Sequence, residues 1–469
     1  MKQLKQHFQR ILDEGKDKPN RKGEFDQGDS TLSVFGAQLR FSLRDGTLPV
    51  TTSKELKFES MAKEITWMLR GETNTKTLGC GIWDKWALQE DLVIRRAKSE
   101  HEVIMELSRK DSPANINELS LQLFNLVLKN TTIKEGATLK VNTSQAEGDV
   151  PEVWEDVPAT KENITPFNMN QVAVYVDDEP QPGLDIDYDA LDEDIRAMGV
   201  EPYNIIPQFD AGYCGPIYGK QWREFESVVT RQGRPEIVKV DQFMEAYRML
   251  RNDPYSRRNI ISAWNPGLIT ESGIDLKTNI ALGNMGLPPC HYGMQFYVSG
   301  QGEDKELSLL LKLRSSDSGL GLPFNIASYA FIAYIYAAEF NLKLGDLVVH
   351  IGDAHIYKSH IEGIKEYIAR PEHELPKFNF IEKYKDIKTR VCVDAINAKV
   401  DQLTYDSEDD RNEAADNELI KYFGGDVDET PAGKEALFQL FLDNLDYTVL
   451  TECIEGYMCE PHIKLPLYD

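Results

Sequence analysis

Residues 325–342, NIASYAFIAYIYAAEFNL, carry one charge, Glu339, in eighteen positions. A helix built from them has no polar face to offer water, so it must be buried. The rest of the chain has to surround it. With 469 residues, 41% of them hydrophobic and 10% aromatic, the chain is long enough for a large core and for one to three domains. Disorder throughout is excluded. Asn, Ser, Tyr and Glu interrupt the apolar segment, and no uninterrupted apolar run reaches the roughly 18 residues that a membrane span needs. The opening MKQLKQHFQRILDEGKDK is charged at helical spacing, unlike an export signal. A soluble, cytoplasmic protein with no membrane partner is expected.

The texture varies along the chain. Residues 1–87 read as core, with a short amphipathic helix, the strand-like TLSVFGAQLRFSL (31–43) and a helix from Phe58 to Arg70 stopped by Gly71. Residues 88–206 combine a helical pattern near 101–130, a polar stretch and VDDEPQPGLDIDYDALDEDIR, which holds nine acids in 21 residues. We read them as an acidic inserted region. Residues 207–380 return to dense apolar patterning. Residues 381–450 read as a second insertion, acidic in YDSEDDRNEAADNE (405–418) and then helical, before a C-terminal core strand and tail at 451–469. Charge runs of this kind are most simply solvated surface, and no chemistry is assigned to them. There is no internal repeat.

Acids outnumber bases 77 to 52, for a net charge of −25. This opposes a generic nucleic-acid surface, because each neutralised phosphate needs a Lys or Arg. An anionic substrate would need a local basic pocket. The six cysteines, Cys80, Cys214, Cys290, Cys392, Cys453 and Cys459, have no CxxC spacing. Neither a zinc site nor a disulfide framework is expected, and the compartment reads as reducing.

Cys290 lies in LPPCH, where two prolines stiffen the approach and an imidazole follows. Alone, this is more often a buried structural cysteine beside a chance histidine. The neighbours change the balance. If residues 291–299 and 306–314 form an antiparallel hairpin turning at GQGEDKE, the register sets Cys290 opposite Arg314 and Ser315. A guanidinium there would lower the thiol pKa and could grip a substrate phosphate, with Ser315 adding a hydrogen bond; the bland alternative is a surface ion pair of Arg314 with Asp317.

Three further segments add polar groups. GLGLPFN makes a tight turn before the buried helix and leaves Asn325 to offer a donor and an acceptor, or simply to cap the helix. VVHIGDAHIY (348–357) reads as a strand leading into a turn, with His355 and Tyr357 on one side. They could meet a sugar hydroxyl or be satisfied within the core. SRRNIISAWN puts Arg257 and Arg258 just before a buried strand, an awkward place for two cations unless an anion or a partner subunit receives them, although solvation would serve for either alone.

Taken together, TLSVFG, GIWDKWA, GPIYGKQWR, DPYSRRNIISAWN, LPPCHYGMQFYV, LRSSDSGLGLPFNIASYA and GDAHIY occur in the order in which the thymidylate synthase family carries them. The chain resembles that family over most of 1–87 and 207–380 and in part of the tail, GYMCEPHIKLP. The resemblance implies an α+β fold, a large mixed β-sheet flanked by helices, and a homodimer joined sheet to sheet. It implies Cys290 as nucleophile, Arg21, Arg314 and Ser315 on the nucleotide phosphate, and Arg257 and Arg258 completing the partner's site. His355 and Tyr357 would meet the deoxyribose and Asn325 the uracil edge. Glu64, in AKEITWMLRG, matches the glutamate that organises water and proton movement at the base, with Tyr218 and His291 in the motifs near the thiol. Trp83, Trp86 and Asp317 would line the folate site. No metal is implied.

The implied reaction moves a one-carbon unit from 5,10-methylenetetrahydrofolate to C5 of dUMP, since Asn325 favours uracil over cytosine. Uracil C5 is a poor nucleophile until a thiolate adds at C6. A thymidylate synthase then delivers hydride and releases dihydrofolate, whereas the related nucleotide hydroxymethylases add water and release the folate still reduced. Two departures bear on that step. Leu313 stands where the family carries Gln, and LPLYD ends a tail that elsewhere ends in a small aliphatic residue and closes the site. An altered lid would let water compete, while the retained Trp83 and Trp86 favour the synthase. A non-enzymatic binding or regulatory protein on the same fold is the third class, opposed by the complete set of nucleophile and phosphate residues. Such insertions would also suit a viral enzyme, acting in host cytoplasm.

Overall fold

In the computed structural model the described residues are 1–20, 30–110, 116–142, 154–166, 168–176, 179–405, 407–424 and 427–467. They divide into two compact units, one comprising residues 1–90 and 210–469 and the other 91–209.

The larger unit is built on a six-stranded sheet. Its strands are β1 (Lys16–Lys18), β2 (Thr31–Ser42), β3 (Ile260–Ser262), β4 (His291–Ser299), β5 (Glu306–Asp317) and β6 (Lys343–Tyr357). The spatial order is β1-β2-β6-β5-β4-β3. β5 and β6 run parallel and every other neighbouring pair is antiparallel, so the sheet is mixed and the fold is α+β. A parallel pair needs a crossover, and the apolar segment supplies it as helix Gly321–Glu339. Strand alternation turns Leu307, Leu309, Leu311 and Leu313 of β5 into the core with Leu347, Val349 and Ile351 of β6 and Met294, Phe296 and Val298 of β4.

That crossover helix has the length and composition of a membrane span, an exception to the expectation that no segment does. Here its sides are covered by protein, with Ile326 to Ala337 buried without a break. Its single carboxylate, Glu339, accepts from the Tyr384 hydroxyl at 2.5 Å and from Lys388 Nζ at 2.7 Å. Both partners come from helix Phe380–Val400, whose Val391 and Cys392 join the same hydrophobic cluster as Leu437, Phe438 and Phe441 of helix Pro431–Asp443. Helices Phe380–Val400 and Pro431–Asp443 thus cover one side of the central helix.

The unit of residues 91–209 has small cores of its own. Val103, Ile104, Leu107, Leu123, Leu191, Ile195 and Val200 form one cluster, and Ala137, Leu139, Ile164 and Val172 another. Part of its acidic stretch is helical: Asp187 caps helix Tyr188–Ala197 by accepting from the Ala190 N–H at 3.1 Å. Leu191 and Ile195, one turn apart, point inward. Asp189, Asp192, Glu193 and Asp194 lie at positions that are not buried, as a solvated helix face requires.

Candidate active site

Cys290 is positioned by the β4–β5 hairpin. Gly293 pairs with Lys312, a bulge at Tyr292 shifts the register, and His291 then pairs with Leu313. The Arg314 N–H donates to the Cys290 carbonyl at 2.7 Å. Arg314 and Ser315 thereby flank the thiol: Arg314 Nη2 and Ser315 Oγ each lie 3.8 Å from Cys290 Sγ. The guanidinium also donates to the Pro289 and Pro288 carbonyls at 3.3 and 3.4 Å and stands 5.9 Å from the Trp264 ring. No ion pair joins Arg314 to Asp317 among the described residues. A cation held on carbonyls keeps its charge available to the sulfur and to an anion.

The imidazole beside Cys290 does something other than activate it. His291 is buried, its ring stacked 3.9 Å from Tyr218, with Nδ1 2.7 Å from the Tyr329 hydroxyl. Burial lowers its pKa to about 3, so it stays neutral. Tyr218 in turn accepts the Cys290 N–H at 2.8 Å and fixes the backbone that carries the thiol. The cation beside the sulfur is Arg314.

A second group converges through aromatic contacts. Tyr218 meets Trp83 edge-on at 5.7 Å, and Trp83 meets Trp86 at 5.6 Å. Trp83 Nε1 donates to Glu64 Oε1 at 2.7 Å. Glu64 as a residue is half-buried, but its carboxyl is withdrawn from water, and desolvation raises its pKa to about 7 despite that hydrogen bond. A carboxyl poised near neutrality can both give and take a proton.

The far ends of β5 and β6 supply the remaining polar groups. β6 runs as strand through Tyr357 and leads into a short turn at Lys358–His360, as expected of VVHIGDAHIY. Gly352 makes this possible, since a Cβ there would sit 2.7 Å from the Arg314 carbonyl. His355 and Tyr357 share a side with rings 5.4 Å apart, and His355 Nδ1 is 3.6 Å from Asp353 Oδ1. Asp317 Oδ1 accepts from the N–H groups of Gly319 and Leu320 at 2.9 and 3.2 Å, forming the turn into the buried helix. Asn325 is the fifth residue of that helix, so it is not a cap. Arg257 and Arg258 are exposed and precede a three-residue edge strand in which Ile261 is buried and Ile260 is not, so the following strand is only partly buried. Arg21 lies outside the described residues.

On the sheet face away from the core is an open concavity of about 1020 Å³ lined by Arg10, Trp264, Lys312, Arg314 and His350 among others, with no carboxylate among the described residues of its lining. On a chain of net charge −25 this is a local basic surface. Sequence patterning carries no signal for Tyr329, Trp264 or the buried Lys54, whose Nζ donates to the Gly319 carbonyl at 2.8 Å. Each earns its place only through a partner distant in the chain. Among the described residues no group of His, Cys, Asp and Glu is arranged to hold a metal ion.

Comparison with known proteins identifies relatives of the chain. The family model for thymidylate synthase matches residues 2–404. The chain is 31% identical over 386 residues to the thymidylate synthase of Listeria monocytogenes serotype 4a, a match covering 82% of this chain and 91% of that protein, and equally so to that of Listeria innocua. To the Francisella philomiragia thymidylate synthase it is 28% identical over 375 residues, 79% of this chain and 87% of that one. This chain belongs to the thymidylate synthase family.

Proposed function

We propose that the protein transfers a one-carbon unit from 5,10-methylenetetrahydrofolate to C5 of dUMP and completes the reaction as a thymidylate synthase, giving dTMP and dihydrofolate. The observation that carries this reading is the convergence of Arg314 and Ser315 on the Cys290 sulfur at 3.8 Å each. One guanidinium there serves the thiolate and the nucleotide phosphate together.

The thiolate adds to uracil C6, and the electron pair moves through C5 to the C4 oxygen, making C5 nucleophilic. Asn325, on the first turns of the buried helix, reads the uracil edge and stabilises that charge. His355 and Tyr357 hold the deoxyribose. Glu64 organises the proton transfers, and its pKa near 7 suits both directions. Tyr218 and His291 hold the backbone at the thiol. Bound folate supplies the one-carbon unit and, in a synthase, the hydride. The Trp83 and Trp86 faces suit its flat ring, and Asp317 keeps carboxylate oxygen free to accept from it.

The catalytic core in this reading is 1–87, 207–380 and 451–469, with 88–206 and 381–450 inserted. Two copies pair through the sheet face bearing the basic concavity, and the exposed Arg257 and Arg258 of each reach the other's phosphate. Arg21 is assigned to the same phosphate.

A second reading, a dUMP hydroxymethylase, is favoured by Leu313. It is 2% exposed and brings an apolar side chain where the family has an amide. Incubating the protein with dUMP and methylenetetrahydrofolate, weighing the nucleotide product and following dihydrofolate absorbance separates the two. Thymidylate with equal dihydrofolate supports the synthase. 5-Hydroxymethyl-dUMP without dihydrofolate supports the second reading, and neither product overturns both.

A further inference from the structure

His360 is fully buried, and its position in the sequence gives no reason for a polar ring there. Its Nε2 lies 2.6 Å from the carbonyl of Pro466, 106 residues on. A carbonyl can only accept, so Nε2 carries the proton and donates it. The other nitrogen, Nδ1, lies 3.7 Å from Asp317 Oδ1, beyond hydrogen-bond reach of the oxygen that accepts from Gly319 and Leu320, so the ring meets that turn by packing. One imidazole therefore touches both the C-terminal tail and the turn that carries Asp317.

The tail is seated around it. A Cβ at Gly363 would meet Leu465 Cδ2 at 2.7 Å and Ile463 Cγ2 at 3.0 Å, and one at Gly319 would meet Leu465 Cδ1 at 3.1 Å and His360 Nδ1 at 3.3 Å. Two missing side chains make the groove in which Ile463 and Leu465 lie. Further back, His373 Nε2 lies 2.8 Å from Glu460 Oε1, and the Glu460 N–H donates to the Thr52 carbonyl at 2.9 Å. These anchors hold the start of the tail, and His360 holds its last described turn.

We propose that His360 is a positioning residue that ties the tail to the Asp317 turn, so that the two move as one wall of the site. The consequence for folate rests on the reading of Asp317 given above; the tie itself does not.

The test uses the two amides that each mimic one ring nitrogen. In His360→Gln, Nε2 of the amide can reach the Pro466 carbonyl; in His360→Asn the side chain is too short to do so, though it remains beside Asp317. Hydrogen exchange of the full-length protein without ligands is the first readout. The Asn variant is expected to exchange roughly tenfold faster in both 456–467 and 317–322, from the loss of one buried hydrogen bond, and the Gln variant to stay within about threefold of wild type. Faster exchange in the tail alone, or equal exchange in both variants, overturns the tie. A matching thermal transition for all three proteins keeps global destabilisation out of the comparison. The second readout is steady-state kinetics, where the Asn variant is expected to raise KM for methylenetetrahydrofolate roughly tenfold and to leave KM for dUMP within about twofold. An unchanged folate KM alongside altered exchange would leave the tie standing and sink the folate role of Asp317.

Discussion

The hairpin and crossover of residues 290–357 differ from the unit of residues 91–209 in how much apolar material stands behind each polar group. Behind Cys290, Arg314 and His355 lie a sheet face of buried Leu, Val and Phe and a helix buried along most of its length. The smaller unit has one cluster of seven buried residues and another of four. Two of its ion pairs, Lys129 with Asp194 and Arg96 with Glu102, are largely solvated and worth little to stability. Only a large core can hold an imidazole neutral at a pKa of about 3 and a carboxyl at about 7, because desolvation needs depth. Chemistry is assigned to the first region for that reason.

Substitutions can break this contrast, beginning with the largest effect. Cys290→Ala is expected to lower turnover by at least about 10⁴-fold while dUMP affinity, measured by calorimetry, changes less than about fivefold, since phosphate and uracil contacts come from other residues. A variant that still turns over removes the proposed mechanism. Glu64→Gln is expected to cost about 10² to 10³-fold in kcat. It also carries a stability signature. The folded pKa of about 7 lies above the ordinary 4.5, so wild type loses stability as pH rises from about 4.5 through 7. The Gln variant lacks that loss and should gain up to about 3 kcal/mol over wild type between pH 4 and pH 8 in urea melts. A flat difference across that range would refute the burial of the carboxyl.

Arg314→Ala is expected to weaken dUMP binding by about 100-fold and to slow alkylation of Cys290 by iodoacetamide at pH 7, because both the phosphate and the thiolate lose their cation. Arg314→Lys should restore the alkylation rate better than the binding, as a point charge lacks the planar fork. The smallest effect on catalysis is expected from Leu123→Ala, in the buried cluster of the 91–209 unit. It should destabilise that unit by about 2 to 4 kcal/mol, seen as early proteolysis within 91–209, while kcat stays within about twofold. A large fall in kcat would show that the contrast drawn between the two regions is false.

Much of this was legible from local pattern. The segment around Ile326 to Ala337 has no polar face and is buried, and the hairpin register brings Arg314 and Ser315 to Cys290. Elsewhere local reading stopped short. VVHIGDAHIY was legible as a strand, but the need for glycine at 352 was not, since it answers a close approach to the Arg314 carbonyl on the neighbouring strand. Asn325 looks like a cap and is not, because the helix already starts at Gly321 on the turn that Asp317 organises.

By itself the sequence determined which segments are buried, how the hairpin pairs and, through seven motifs in order, the family. Those properties depend on period and on neighbours a few residues apart. Tertiary structure alone decided the electrostatic state of the site. The Glu64 carboxyl is raised by burial against the hydrogen bond from Trp83, His291 is kept neutral by burial between Tyr218 and Tyr329, and His360 is turned toward a carbonyl 106 residues away. A pKa and a buried hydrogen bond depend on which surfaces exclude water, and that is settled only when distant segments pack together.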